Sequence, residues 1–168
     1  MPQTTFARLA RFATLVALVV NVSVTVPGCA TADEPGAAAA YQRPGFHVTL
    51  EDGRLWVFRE GSAALAQFLE HGEPAKQVIR PAAGPGGITL KSIDGETITE
   101  YLLTRPGFWV KVEDGRLWVF REGSEELAQF LEHGEPAKQV VRPAAGPDGI
   151  TLKSVDGETL DAYLAVGG

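Results

Sequence analysis

Three histidines, a single cysteine and a few serines are the residues from which this chain could build a reactive or metal-binding centre. Their spacing suits neither. His47, His71 and His133 are unaccompanied by any His-x-x-x-His or Cys-x-x-Cys pair, so zinc lacks its usual ligand spacing. Glu70, His71 and Glu73 cluster at the end of a short amphipathic run, as do Glu132, His133 and Glu135. A histidine complementing a helix dipole among solvated acids accounts for both clusters. Ser62 and Ser124 precede such runs and read as helix caps, and no Gly-x-Ser-x-Gly elbow is present. Gly84-Pro85-Gly86-Gly87 with Lys91-Ser92 imitates a phosphate loop, but no glycine precedes the lysine and a strand follows. Asp94-Gly95-Glu96 lacks the alternating acids of a calcium loop and reads as a cap. No catalytic residue, metal or cofactor is assigned. Arg54, Arg59, Lys76, Arg80 and Lys91 form a basic set read as salt-bridged or solvated surface, with an anion-binding patch as the alternative.

The elements that must position these residues come in duplicate. From Arg43 and again from Arg105 the same sequence runs without a gap, which divides the chain into 1–28, a tether at 29–42, unit 1 at 43–104 and unit 2 at 105–168. Leu50/Val112, Ile79/Val141, Ile93/Val155 and Ile98/Leu160 are aliphatic exchanges that a packed core tolerates. Ala63-Ala64 against Glu125-Glu126, Gly86 against Asp148 and Thr99 against Asp161 look like solvent positions. His47 against Trp109 is the one exchange that changes chemistry. Thr104-Arg105-Pro106-Gly107 joins the units almost directly, so they should touch.

Within each unit the pattern reads ββαββα. Phe46 to Leu50 alternates apolar and other residues, Leu55 to Phe58 is strongly strand-forming, and Asp52-Gly53 between them predicts a two-residue type I′ hairpin. That turn pairs Leu50 with Leu55, Val48 with Val57 and Phe46 with Arg59 on one face; it pairs Glu51 with Arg54, Thr49 with Trp56 and His47 with Phe58 on the other. Ser62, the i, i+3, i+4 set Leu65, Phe68 and Leu69, and Gly72 predict a short capped helix. Strands are expected over 76–80 and 88–92, and a second helix after Asp94 presents Ile98, Tyr101 and Leu102. Moving the first strand to the end gives βαββαβ, the ferredoxin-like order. The expected fold is therefore α+β: two tandem ββαββα units, each a permuted ferredoxin-like, antiparallel-type sheet with two helices on one face. Phe108 to Val112 could instead close the sheet of unit 1.

With both helices on the aliphatic side, the other side would carry Trp56, Phe58 and Arg54 in unit 1, and Trp109, Trp118, Phe120 and Arg116 in unit 2. Aromatic surface of that extent calls for cover. Either the sheets pack on each other or on another chain, since a domain of about 60 residues buries only about 60% of its surface alone, or these residues line a ligand groove.

The chain carries a net charge of −6, and all its acids lie beyond Cys29, so nucleic acid is not an expected partner. Arg8 and Arg11 precede a largely apolar stretch, Phe12 to Val26, in the layout of a secretory signal. Val26-Pro27-Gly28-Cys29 resembles the lipobox of bacterial lipoproteins. The resemblance implies lipidation of Cys29 and attachment to the cell envelope, and Ala30 after it favours the outer membrane. Ala30-Thr31-Ala32 offers the alternative of a general signal peptidase site, giving a periplasmic chain that begins at Asp33. With one cysteine the chain forms no internal disulfide.

Together these readings give an exported, lipid-anchored envelope protein whose tandem units bind or assemble with an envelope protein, a glycan or a small molecule. The alternatives are a small periplasmic enzyme or accessory factor using the aromatic face, and a purely structural duplicated domain.

Overall fold

The computed structural model describes residues 37–167; the signal-like segment, Cys29 and most of the tether lie outside the described residues. A 3-10 turn, Ala37–Tyr41, leads into unit 1: β1 (Phe46–Glu51), β2 (Arg54–Arg59), α1 (Ala63–His71), β3 (Val78–Arg80), β4 (Thr89–Ser92) and α2 (Gly95–Leu103). Unit 2 repeats the order with β5 (Phe108–Glu113), β6 (Arg116–Arg121), α3 (Glu125–His133), β7 (Val140–Arg142), β8 (Thr151–Ser154) and α4 (Gly157–Val166). The chain is α+β, with two similar ββαββα units and a four-stranded sheet in each.

The hairpin forms in the register its turn dictates, with all six pairs from Phe46–Arg59 to Glu51–Arg54 in place. Asp52 and Gly53 take φ of 49° and 69°, the left-handed values a type I′ turn demands. Ser62 accepts a hydrogen bond from Leu65 N, Asp94 accepts one from Thr97 N, and Gly72 ends α1 at φ 77°. Phe108 to Val112 pairs with β6 inside its own unit.

Two expectations are corrected. The sheet is mixed, not antiparallel-type: strand order is β1-β2-β4-β3, and the central pair β2–β4 runs parallel. The helices also do not share a face. Ile98 and Tyr101 of α2 pack on Phe46, Val48, Leu55, Val57 and Leu90, whereas Leu65 and Phe68 of α1 pack on Trp56 and Phe58 across the sheet. The cause lies in β2, whose apolar residues run consecutively from Leu55 to Phe58 and are all buried. Such a strand presents an apolar surface on both faces, and each face needs its own cover. A helix of nine residues is too short to hold itself together in water, so each is stabilised by the face it covers.

The polar edge of the aromatic core is closed by a lysine. Lys91 lies 4.2 Å from the Trp56 ring centroid, is almost fully buried, and pairs with Glu73; Lys153, Trp118 and Glu135 repeat the arrangement. The lysine hydrogen bond is the main cause holding the Glu73 and Glu135 carboxyls below the ordinary glutamate range. A carboxyl whose folded pKa is lowered contributes stability at neutral pH and loses it as pH falls through that lowered value. The denaturation midpoint is therefore expected to decline on acidification below about pH 4. In Glu73→Gln/Glu135→Gln this part of the decline should disappear, as checked by urea titrations across pH.

Candidate functional site

The predicted aromatic surface is a second core. Trp56, Phe58, Trp118 and Phe120 are each no more than 1% exposed. In unit 1 the indole stacks on Phe58 with ring centroids 5.6 Å apart, and Phe68 of α1 lies 4.6 Å from Phe58. Unit 2 repeats this with Trp118, Phe120 and Phe130. The cover is the unit's own helix, neither the other sheet nor another chain. Arg54 and Arg116 stand exposed at the hairpin ends, away from the buried rings. Arg116 lines a cleft beside Lys153, and of the predicted aromatic residues Trp109 alone is partly exposed, lining a separate cleft.

That cleft lies where the units meet, and its centre is a residue the sequence reading passed over. Glu100, on α2, is 2% exposed. Its Oε1 accepts a hydrogen bond from Val112 N of β5 at 2.8 Å, and its Oε2 accepts from Arg59 Nε at 3.1 Å and Nη2 at 2.5 Å. Lys111 Nζ lies 3.6 Å from the same carboxylate. Arg59 also donates to Val110 O at 2.5 Å, and its guanidinium lies 5.0 Å from the Trp109 ring centroid. A fork of one arginine and one glutamate from unit 1 thus bonds the outward C=O of Val110 and N–H of Val112, as a neighbouring strand would. Tyr163 ties the junction a second time by donating from its hydroxyl to Leu103 O at 2.7 Å.

The residues of this junction differ between the copies. Glu100 corresponds to Ala162, Lys111 to Thr49 and Trp109 to His47. Two of these exchanges are of opposite charge, a signal available in the sequence had the differences been read as a pair. His47 is engaged locally, 3.2 Å from Thr49 Oγ1.

The cleft beside the fork has a volume of about 360 Å³ and is lined by Arg59, Trp109, Lys111, Glu113, Phe130 and Leu131. Arg59 and Lys111 both pair with Glu100 beside the cleft, and Glu113 adds a second carboxylate to the lining, so two formal charges of each sign meet there. An apolar floor with a few polar groups at the rim suits an uncharged ring better than an ion. A smaller pocket recurs in both units, 220 Å³ beside Ser92 and 210 Å³ beside Ser154. Each serine is fully buried and its hydroxyl has no hydrogen-bond partner among the described residues. His71 and His133 sit exposed at 3.7 Å and 3.6 Å from Glu70 and Glu132. Among the described residues no helix is long and apolar enough to cross a membrane. No known protein family, curated protein or solved structure matches the chain.

Proposed function

We propose that the chain is an exported, lipid-anchored bacterial envelope protein whose paired units form a non-enzymatic binding module, with the junction cleft taking a saccharide ring of an envelope glycan. Export and anchoring rest on Arg8, Arg11, the apolar run to Val26 and the lipobox-like Val26-Pro27-Gly28-Cys29. The binding reading is carried by one observation: a half-exposed tryptophan, present in one copy only, standing over a charge-balanced cleft between the units. Sugar rings stack on such a face, while Lys111 and Glu113 supply a donor and an acceptor at the rim.

Mass spectrometry of the mature chain is expected to find a lipid-modified N-terminal Cys29; an unmodified chain beginning at Asp33 would remove the anchor from the proposal. The purified protein is expected to co-sediment with peptidoglycan sacculi. Trp109→His places in unit 2 the residue unit 1 already carries, so the fold should survive while retention falls roughly fivefold, since one aromatic stacking partner contributes about 1 kcal/mol. Equal retention of both proteins would rule out the cleft as the glycan site.

A further inference from the structure

We infer that the outer edge of β1 is a self-association surface on which a second copy of this chain adds its own β1, antiparallel, about a two-fold axis at Thr49. The two sheets have four edge strands, β1, β3, β5 and β7. β3 and β7 are three residues long and run into Pro81 and Pro143, two devices that deter pairing with a further strand. β5 is covered by the Arg59–Glu100 fork and carries Lys111. β1 lacks these protections over its central residues: Gln42 Nε2 and Arg43 O engage the backbone of Phe46 at its start and the Ala37–Tyr41 turn packs beside it, but nothing among the described residues bonds Val48 or Leu50 on that side. The strand is six residues long and contains neither lysine nor proline.

β1 and β5 share one register with their partner strands, so Val48 C=O and Leu50 N–H point outward as Val110 C=O and Val112 N–H do. Ala38 stands at the position in unit 1 that Glu100 occupies before unit 2, and it packs into the aliphatic core. Among the described residues, no group bonds Val48 C=O or Leu50 N–H on this outward side. Nor can unit 2 of another copy supply the fork, because α4 carries Ala162 where α2 carries Glu100.

An antiparallel copy of β1 satisfies that edge. With Thr49 on the axis, Val48 and Leu50 of each chain exchange both backbone hydrogen bonds with Leu50 and Val48 of the other. Thr49 then faces Thr49, a favourable cross-strand pair, and His47 faces Glu51, a donor opposite an acid. The same operation on β5 would set Lys111 against Lys111. Side-chain complementarity thus selects β1, and the two four-stranded sheets become one of eight strands.

The register makes a sharp test. Thr49 and its mate form a non-hydrogen-bonded pair with Cα atoms about 4.5 Å apart, inside the disulfide range of about 4.4–6.8 Å. In a Cys29→Ser background, which leaves the introduced thiol alone in the chain, Thr49→Cys is expected to form a disulfide-linked dimer on mild oxidation. It should do so at least roughly tenfold faster than His47→Cys, whose thiols are out of register, or Lys111→Cys on the covered edge. Equal rates for the three variants would overturn the inference. If Thr49→Cys does not fold, amide exchange on the unaltered chain decides: protection at Val48 and Leu50 that rises with protein concentration supports the pairing, and its absence refutes it.

Discussion

Glu100→Ala is expected to uncouple the two units while leaving each one folded. The carboxylate is almost completely buried and holds Arg59, Lys111 and the Val112 amide at once. Removing one partner of a buried ion pair costs about 3–5 kcal/mol, because the remaining charge stays in a site that water reaches poorly. Here the stranded groups are the Arg59 guanidinium, 18% exposed, and a backbone N–H. The loss falls on the junction and not on unit 1 itself, since unit 2 has alanine at the equivalent position and the same fold. Denaturation of the parent chain should therefore follow one cooperative transition, and that of Glu100→Ala two, the first lowered by most of that amount. Adding Arg59→Ala should restore part of the loss by removing the stranded charge, which a double-mutant cycle measures. A single unchanged transition would show that the units hold together without the fork.

How much of this was legible in the sequence depended on how local the cause was. The β1–β2 hairpin has a nearest-neighbour origin: Asp52-Gly53 fixes the turn, the turn fixes the register, and every pair follows. The caps Ser62 and Asp94 have the same local origin. Direction of the central strands does not, because it depends on where α1 leads the chain after β2. The ferredoxin-like reading put both helices on one face by analogy of order. Yet Leu55-Trp56-Val57-Phe58 is an unbroken apolar run, and an unbroken run is the mark of a strand covered on both sides. Taken at face value, it would have sent α1 to the aromatic side.

The candidate site was misplaced for the same reason. Assigning no helix to the aromatic face left Trp56 and Trp118 looking available, when α1 and α3 seal them. The junction required a non-local step. Nothing about Glu100 in its own helix separates it from a solvated acid; only its pairing with Arg59, back on β2, and Lys111, in the next unit, explains its burial. Trp109, which stands where unit 1 has His47, lines the cleft at that junction.

Trp118→Ala is the largest single loss expected inside a unit, and its consequence separates a core tryptophan from a binding one. The ring is 1% exposed, stacks on Phe120 with centroids 5.7 Å apart, meets Phe130 at 5.3 Å, and carries Lys153 at 4.2 Å. Truncating a buried tryptophan costs about 3–5 kcal/mol through lost transfer energy and the cavity left behind. It also takes the ring from beneath Lys153, whose ammonium is then paired with Glu135 alone over a void. Small domains have only about 5–15 kcal/mol in total, so unit 2 is expected to lose much of its cooperativity, visible as a lower and broader transition by circular dichroism. Trp56→Ala should do the same to unit 1, where Lys91 and Phe68 hold the corresponding places. Trp118→Phe keeps an aromatic ring and should recover a good part of the loss, which identifies packing as the cause. A Trp118→Ala protein as stable as its parent would contradict the burial on which the two-faced sheet depends.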